Sequence, residues 1–187
     1  MKPPYFGLLF HNLKVFKMKV RIFIFKLRGL KIGEETALGN ISCDWPNKLV
    51  IGSECDIQDG VDFRIWSPYE NGGVVKLGDR VFIGHACEFV CNTNITIGND
   101  CLIASSTTFV DTGHSFKKSE TIKSQPCTTD EIFIGEDVWI GTSCVILKGV
   151  TIGRGSIIGA GSVVNKSIPE YEIWAGTPAR FLSQILY

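Results

Sequence analysis

The 187 residues contain three histidines, and one of them, His114, stands where it could do chemistry. Its neighbourhood reads VDTGHSF, the opening of a stretch from Val110 to Glu131 that interrupts a regular repeat on either side. Imidazole changes charge near neutral pH, so a histidine in an extruded loop can take a proton from a hydroxyl and return it to a leaving group. Long loops in tight folds are more often functional than merely connecting. Asp111, three residues upstream, offers a carboxylate to orient the ring, although an Asp in a polar turn is equally a turn former. His11 lies in a basic N-terminal segment. His85 follows Gly84 within the repeat and is the second choice of base. No serine or cysteine lies in a recognisable nucleophile–base motif, so nothing there points to a covalent intermediate.

The element that must position His114 is the repeat itself. Ile134, Ile140, Ile146, Ile152, Ile158 and Val164 stand six apart, with Gly at 135, 141, 153 and 159. Four residues after each anchor comes a small or slim side chain: Val138, Cys144, Val150, Ser156, Ser162. A helix of 3.6 residues per turn cannot keep every sixth residue on one face, and an alternating strand would not mark sixes with glycine. The pattern specifies a parallel β-helix of hexapeptides, each anchor pointing inward. The Gly beside the anchor is expected to supply backbone angles that side-chained residues reach only at a cost. Upstream the hexad is broken. Ile32 leads to Leu38, Ile51 to Ile57 and Phe63, Leu77 to Ile83 and Phe89, and Ile97 to Ile103 and Phe109. Interruptions fall at 40–50, at 66–73, between Phe89 and Ile97, and at 110–131.

Ile134–Val164, the AGTPAR segment after it and the TGH before it resemble the hexapeptide-repeat acyltransferases over about residues 77–182. Within them the resemblance is to the maltose, galactoside and capsular-polysaccharide O-acetyltransferases. It implies a left-handed parallel β-helix with three hexapeptides per coil, a homotrimer, and acetyl-CoA as donor in a groove between neighbouring prisms, with no metal required. TGH then places the catalytic histidine at His114. Carried over residue by residue, the CoA contacts fall on Thr142, Ala160, Asn165, Lys166 and Arg180, with Trp139 as a wall of the groove. Ala160 leaves room for the pantetheine arm, and Lys166 and Arg180 can neutralise phosphates. For the acceptor, those enzymes have an Asp where this chain has Asn92, and an Asn where it has Gly84. Asn92 and Asp111 are the candidate substrate-binding residues, and the departures imply a different acceptor from the free sugars of those enzymes. The activity implied is acetyl transfer to a sugar hydroxyl, with surface-polysaccharide biosynthesis as its setting. The alternatives are an amino-sugar nitrogen or a streptogramin-type antibiotic as acceptor, or a non-catalytic hexapeptide scaffold. A zinc hydratase of the γ-carbonic-anhydrase type shares this fold, but needs three converging histidines.

Three segments follow from this reading. Residues 32–168 form the β-helix with its extruded loop 110–131, and residues 169–187 form a tail that completes the CoA site, with a short helix over Phe181–Leu186. Residues 1–31 differ in kind: all eight of their charged residues are basic. Leu9, Leu13, Phe16, Val20, Phe23, Leu27 and Leu30 draw an apolar helical stripe. Such a helix either caps the open end of the solenoid or rests on anionic lipid; no stretch approaches the ~18 apolar residues of a membrane span. The expected location is the cytoplasm, possible contact with the inner face of the membrane included. Twenty glycines among 187 residues, above the usual ~7%, suit a fold with many corners. A formal net charge of zero gives no electrostatic case for nucleic acid. Of the seven cysteines, Cys55, Cys87, Cys101 and Cys144 fall four after an anchor, where Cys is a small buried hydrophobe. Reduced thiols again suit the cytoplasm.

Overall fold

Hexapeptides that each turn a corner stack their anchors into ladders, and the computed structural model of the chain has three such ladders. It describes residues 5–67 and 72–186, so Lys2 and part of the interruption at 66–73 lie outside the described residues. Sheet A brings Ile32, Ile51, Leu77, Ile97, Ile134 and Ile152 into register. Sheet B aligns Leu38, Ile57, Ile83, Ile103, Ile140 and Ile158. Sheet C aligns Cys43, Phe63, Phe89, Phe109, Ile146 and Val164. Successive strands visit A, B and C in turn, and all pair in parallel from coil to coil, which makes a three-sided left-handed β-helix. Its core includes a column of three rings, Phe63, Phe89 and Phe109, stacked at 4.9 and 4.8 Å between centroids.

The glycine beside each anchor has a different reason from the one expected. Positive φ falls two residues later, at Glu35, Glu54, Arg80, Ala86, Asp100, Ser106, Asp137 and Ser143. At Gly141 the constraint is steric: a Cβ there would lie 2.6 Å from the Ala160 nitrogen of the next coil. The small residue four after the anchor does more than fit. Cys87 Sγ donates to the Ala104 carbonyl at 3.2 Å, and Thr107 Oγ1 to that of Gly141 at 3.1 Å, so each corner is stitched to the next coil.

A helix packs on the first coil as one of the two readings had it, whereas the C-terminal end departs from expectation. Helix α1 (Tyr5–Leu27) buries Phe25 and, just beyond its end, Leu30 against the first coil. Arg21 Nη1 donates to the Leu38 carbonyl at 2.8 Å. The predicted stripe is not the packing face, because Ile22, Phe25 and Arg21 lie on the opposite side; apart from Leu30, all its members are exposed. No terminal helix forms over Phe181–Leu186. Instead Glu172–Gly176 and Ala179–Gln184 make an antiparallel hairpin that completes sheet B. Six residues make a poor helix in isolation, whereas the last rung of a sheet offers unpaired N–H and C=O groups that an extended chain satisfies.

Candidate active site

Each coil turns three corners, from A to B, from B to C, and from C back to A, and the corner decides what a residue can meet. The loop bearing His114 leaves at the C-to-A corner. Its two arms, Thr112–His114 and Cys127–Thr129, pair antiparallel, with His114 opposite Cys127. Gln125 holds the loop interior: its Nε2 donates to the Lys117 carbonyl at 3.0 Å, and its Oε1 accepts from the Lys117 N–H at 2.6 Å. The outcome is an ordered hairpin with an exposed imidazole. An open cavity of about 400 Å³ lies beside the ring, lined by Ser115, Phe116, Lys117, Thr128 and Lys148. Cys127 Sγ lies 3.8 Å from His114 Nδ1.

Asp111 is not the group that orients this ring, nor is it placed to meet an acceptor. It is fully buried, and its carboxylate accepts from the backbone N–H of Asn92 at 2.8 Å, the N–H of Thr93 at 2.7 Å and Thr93 Oγ1 at 3.1 Å. The two-residue slip between Phe89 and Ile97 leaves these backbone donors without coil partners, and buried donors must be satisfied. Asp111 therefore builds the floor from which the hairpin rises. Asn92 stays half-exposed at the same corner, its Nδ2 only 3.5 Å from Asp111 Oδ1.

The remaining candidates divide between two edges. Asn165 and Lys166 are exposed at the C-to-A corner, the edge of His114. Thr142 and Ala160 lie at the B-to-C corner, where Thr142 Oγ1 donates to the Ser105 carbonyl at 2.7 Å. Arg180 joins them through the terminal hairpin, whose turn is tied to that corner by Thr177 Oγ1 donating to the Gly161 carbonyl at 3.2 Å. Its guanidinium is exposed, with Nη1 donating to the Ala179 carbonyl at 2.9 Å. Trp139 points outward from sheet B, in an exterior ladder with Leu102 and Ile157. One protomer thus brings His114 together with Asn92, Asn165 and Lys166, but sets Thr142, Ala160 and Arg180 on another edge.

His85 also sits at the B-to-C corner, its Nδ1 3.3 Å from the Asp59 carbonyl. It rims a larger cleft of about 760 Å³ between α1 and the first coils, which Lys14, Arg21 and Asp59 also line. The Asn40 N–H, and after it the charges of Lys14, Arg21 and His85, hold the Asp59 carboxyl below its ordinary range. Among the described residues no three His, Cys, Asp or Glu side chains converge as metal ligands do.

Lys148, Thr128 and Cys127 escaped the reading of the sequence. Lys148 could have been found by counting: it stands two after the anchor Ile146, one coil beyond Asp111, which stands two after Phe109. Cys127 could not, because antiparallel pairing inside a loop leaves no hexad signal. Six of the seven cysteines are buried and only Cys127 is exposed. Burial pushes the Cys101 thiol up to about 11 and that of Cys43 up to about 12, so these stay protonated and inert. An aromatic disulfide reagent should accordingly titrate one thiol in the native protein and all seven after denaturation. Loss of the fast-reacting thiol in Cys127→Ala would check the assignment.

Two family models match the coils: the bacterial transferase hexapeptide (six repeats) over residues 131–166, and the hexapeptide repeat of succinyl-transferase over 74–105. The chain carries the transferase hexapeptide repeat over those residues. Among similar proteins, Escherichia coli K12 has WbbJ, named for O-acetyl transfer in lipopolysaccharide biosynthesis. It is 36% identical over 120 residues, 60% of this chain and 61% of its own length. The galactoside O-acetyltransferase of the same organism is 37% identical over 121 residues, 63% of this chain and 57% of that one. The match thus spans less than two thirds of either relative. Among similar solved structures, the Vibrio cholerae acetyltransferase VCA0836 in complex with acetyl-CoA superposes with a TM-score of 0.67 at 26% identity. That match covers 90% of this chain and 79% of the other.

Proposed function

We propose that the chain is an acetyl-CoA-dependent O-acetyltransferase that modifies a sugar hydroxyl, with His114 as general base. The observation that carries this is the hairpin at the C-to-A corner, which presents an exposed imidazole beside an open cavity flanked by Lys117 and Lys148. His114 Nε2 takes the proton of the acceptor hydroxyl as its oxygen attacks the acetyl carbonyl. The tetrahedral oxyanion, held by a backbone N–H, collapses with cleavage of the carbon–sulfur bond. The imidazolium returns the proton to the departing thiolate, leaving an acetyl ester and free CoA. Asn92 is assigned to hydrogen-bond the acceptor, and Asn165, Lys166, Thr142, Ala160 and Arg180 to hold the donor.

Because His114 and three of the assigned donor residues, Thr142, Ala160 and Arg180, lie on different edges, the working site is assigned to the crevice between two copies in a homotrimer. The outward apolar ladder of Leu102, Trp139 and Ile157 on sheet B supports packing between copies. The named relatives support acetyl transfer, and two of them support a saccharide acceptor, here assigned to surface-polysaccharide biosynthesis on the cytoplasmic side of the membrane. Mixed oligomers test the crevice. His114→Ala and Ala160→Trp subunits are each expected to be inactive alone, and to release CoA in a sugar-dependent reaction once co-assembled. Silence of the mixture, with both variants folded and trimeric, would return base and donor to one protomer.

A further inference from the structure

Helix α1 has an outward side that the coils do not use. Leu9, Phe16, Phe23 and Leu27 are 64%, 63%, 62% and 73% exposed, and Leu13, Val20 and Ile24 lie among them. At 100° per residue these seven occupy one continuous face, with Lys17 on one flank and Lys19 and Lys26 on the other. A monomeric surface rarely leaves so large an apolar stripe uncovered without a partner.

Charge identifies the partner. Eight of the 19 basic residues and none of the 19 acidic ones fall within the first 31 positions, so the remaining 156 residues carry a formal charge of eight negatives. An anionic surface would attract α1 and repel the rest, which fixes one orientation. The same asymmetry disfavours a second copy of α1 as the cover, because its own flanking lysines would face these. No described helix is long and apolar enough to cross a membrane, so the stripe suits the interface rather than the hydrocarbon core.

We propose that α1 docks the protein on an anionic lipid bilayer, its axis parallel to the surface, with Phe16, Phe23 and Leu27 set among the upper acyl carbons and Lys17, Lys19 and Lys26 against the headgroups. The inference does not depend on the acetyl-transfer reading. Docked this way, the coils stand off the membrane with the cleft beneath α1 close to the headgroups.

Flotation of the full chain with phosphatidylcholine vesicles, with and without phosphatidylglycerol, tests it. The protein should float with the anionic vesicles only, and 0.5 M salt should return it to the soluble fraction, the Debye length having shrunk from about 10 Å in 0.1 M buffer to about 4 Å. Replacing Lys17, Lys19 and Lys26 with Gln should weaken partitioning on the order of a hundredfold, about fivefold per charge. Replacing Phe16, Phe23 and Leu27 with Gln should abolish it, with an unchanged melting transition to show that the coils still fold. Equal recovery with neutral and anionic vesicles, or none with either, would overturn the proposal. So would a native mass that falls on the triple Gln substitution of the apolar residues while no flotation occurs, since another copy would then cover the stripe.

Discussion

His114→Ala is expected to lower kcat by about 10²–10⁴-fold, the usual worth of a positioned general base, while leaving the melting temperature unchanged. The two halves of that expectation have separate causes. The ring stands exposed on the hairpin arm, with Cys127 Sγ 3.8 Å from Nδ1, so its removal opens no buried cavity. Without it the acceptor hydroxyl has no proton acceptor, and the attacking oxygen must carry its proton into the transition state. Affinity for acetyl-CoA should change little, because the substitution removes none of the residues assigned to hold the donor. His85→Ala is the matched comparison: it removes an exposed imidazole carried by the coils themselves, and turnover should survive. Cys127→Ala should also keep most of the activity, since direct transfer passes through no acyl thioester on the protein. CoA release followed with a thiol reagent over an acceptor panel measures all three. Undiminished turnover in His114→Ala would remove the base from the mechanism.

The coils were legible because the hexad is written in the anchors themselves. Every sixth apolar residue from Ile134 to Val164 must point inward once the chain turns at fixed intervals, and the ladders follow without further information. The site was legible only in part. His114 stood out as a histidine between two blocks of repeat, but its surroundings depend on contacts that no spacing encodes. Asp111 reads in sequence as a partner three residues away, yet the slip after Phe89 leaves the Asn92 and Thr93 N–H groups in need of an acceptor, and these claim it. The C-terminal hairpin was missed for a related reason. FLSQIL has no strong strand pattern of its own, and the open rung of sheet B imposes one. The same holds for α1, whose apolar stripe is plain in sequence while its docking side, set by Phe25 and Arg21, is not.

Phe89→Ala should cost about 3–5 kcal/mol of stability, against well under 1 kcal/mol for Phe133→Ala at an outward, half-exposed position of sheet A. Phe89 is fully buried and lies between Phe63 and Phe109, so truncation removes both stacking contacts and leaves a void that rigid coils above and below cannot close. In a solenoid each coil is held mainly by its two neighbours, and a void in the middle of the column weakens the coupling between the halves it joins. The hairpin makes this loss reach function. Phe109, the next ring in the column, stands two residues before Asp111, which fixes the floor of the loop, and five before His114. Denaturant unfolding of the two variants checks the difference, and turnover well below the midpoint checks the link. Phe89→Ala should lose activity before it loses its β signal, because a loosened Phe109 lets the imidazole drift from its position while the outer coils remain paired. Coincident loss of both would instead mean that the coils melt as one unit and that the column holds the hairpin no more tightly than it holds the rest.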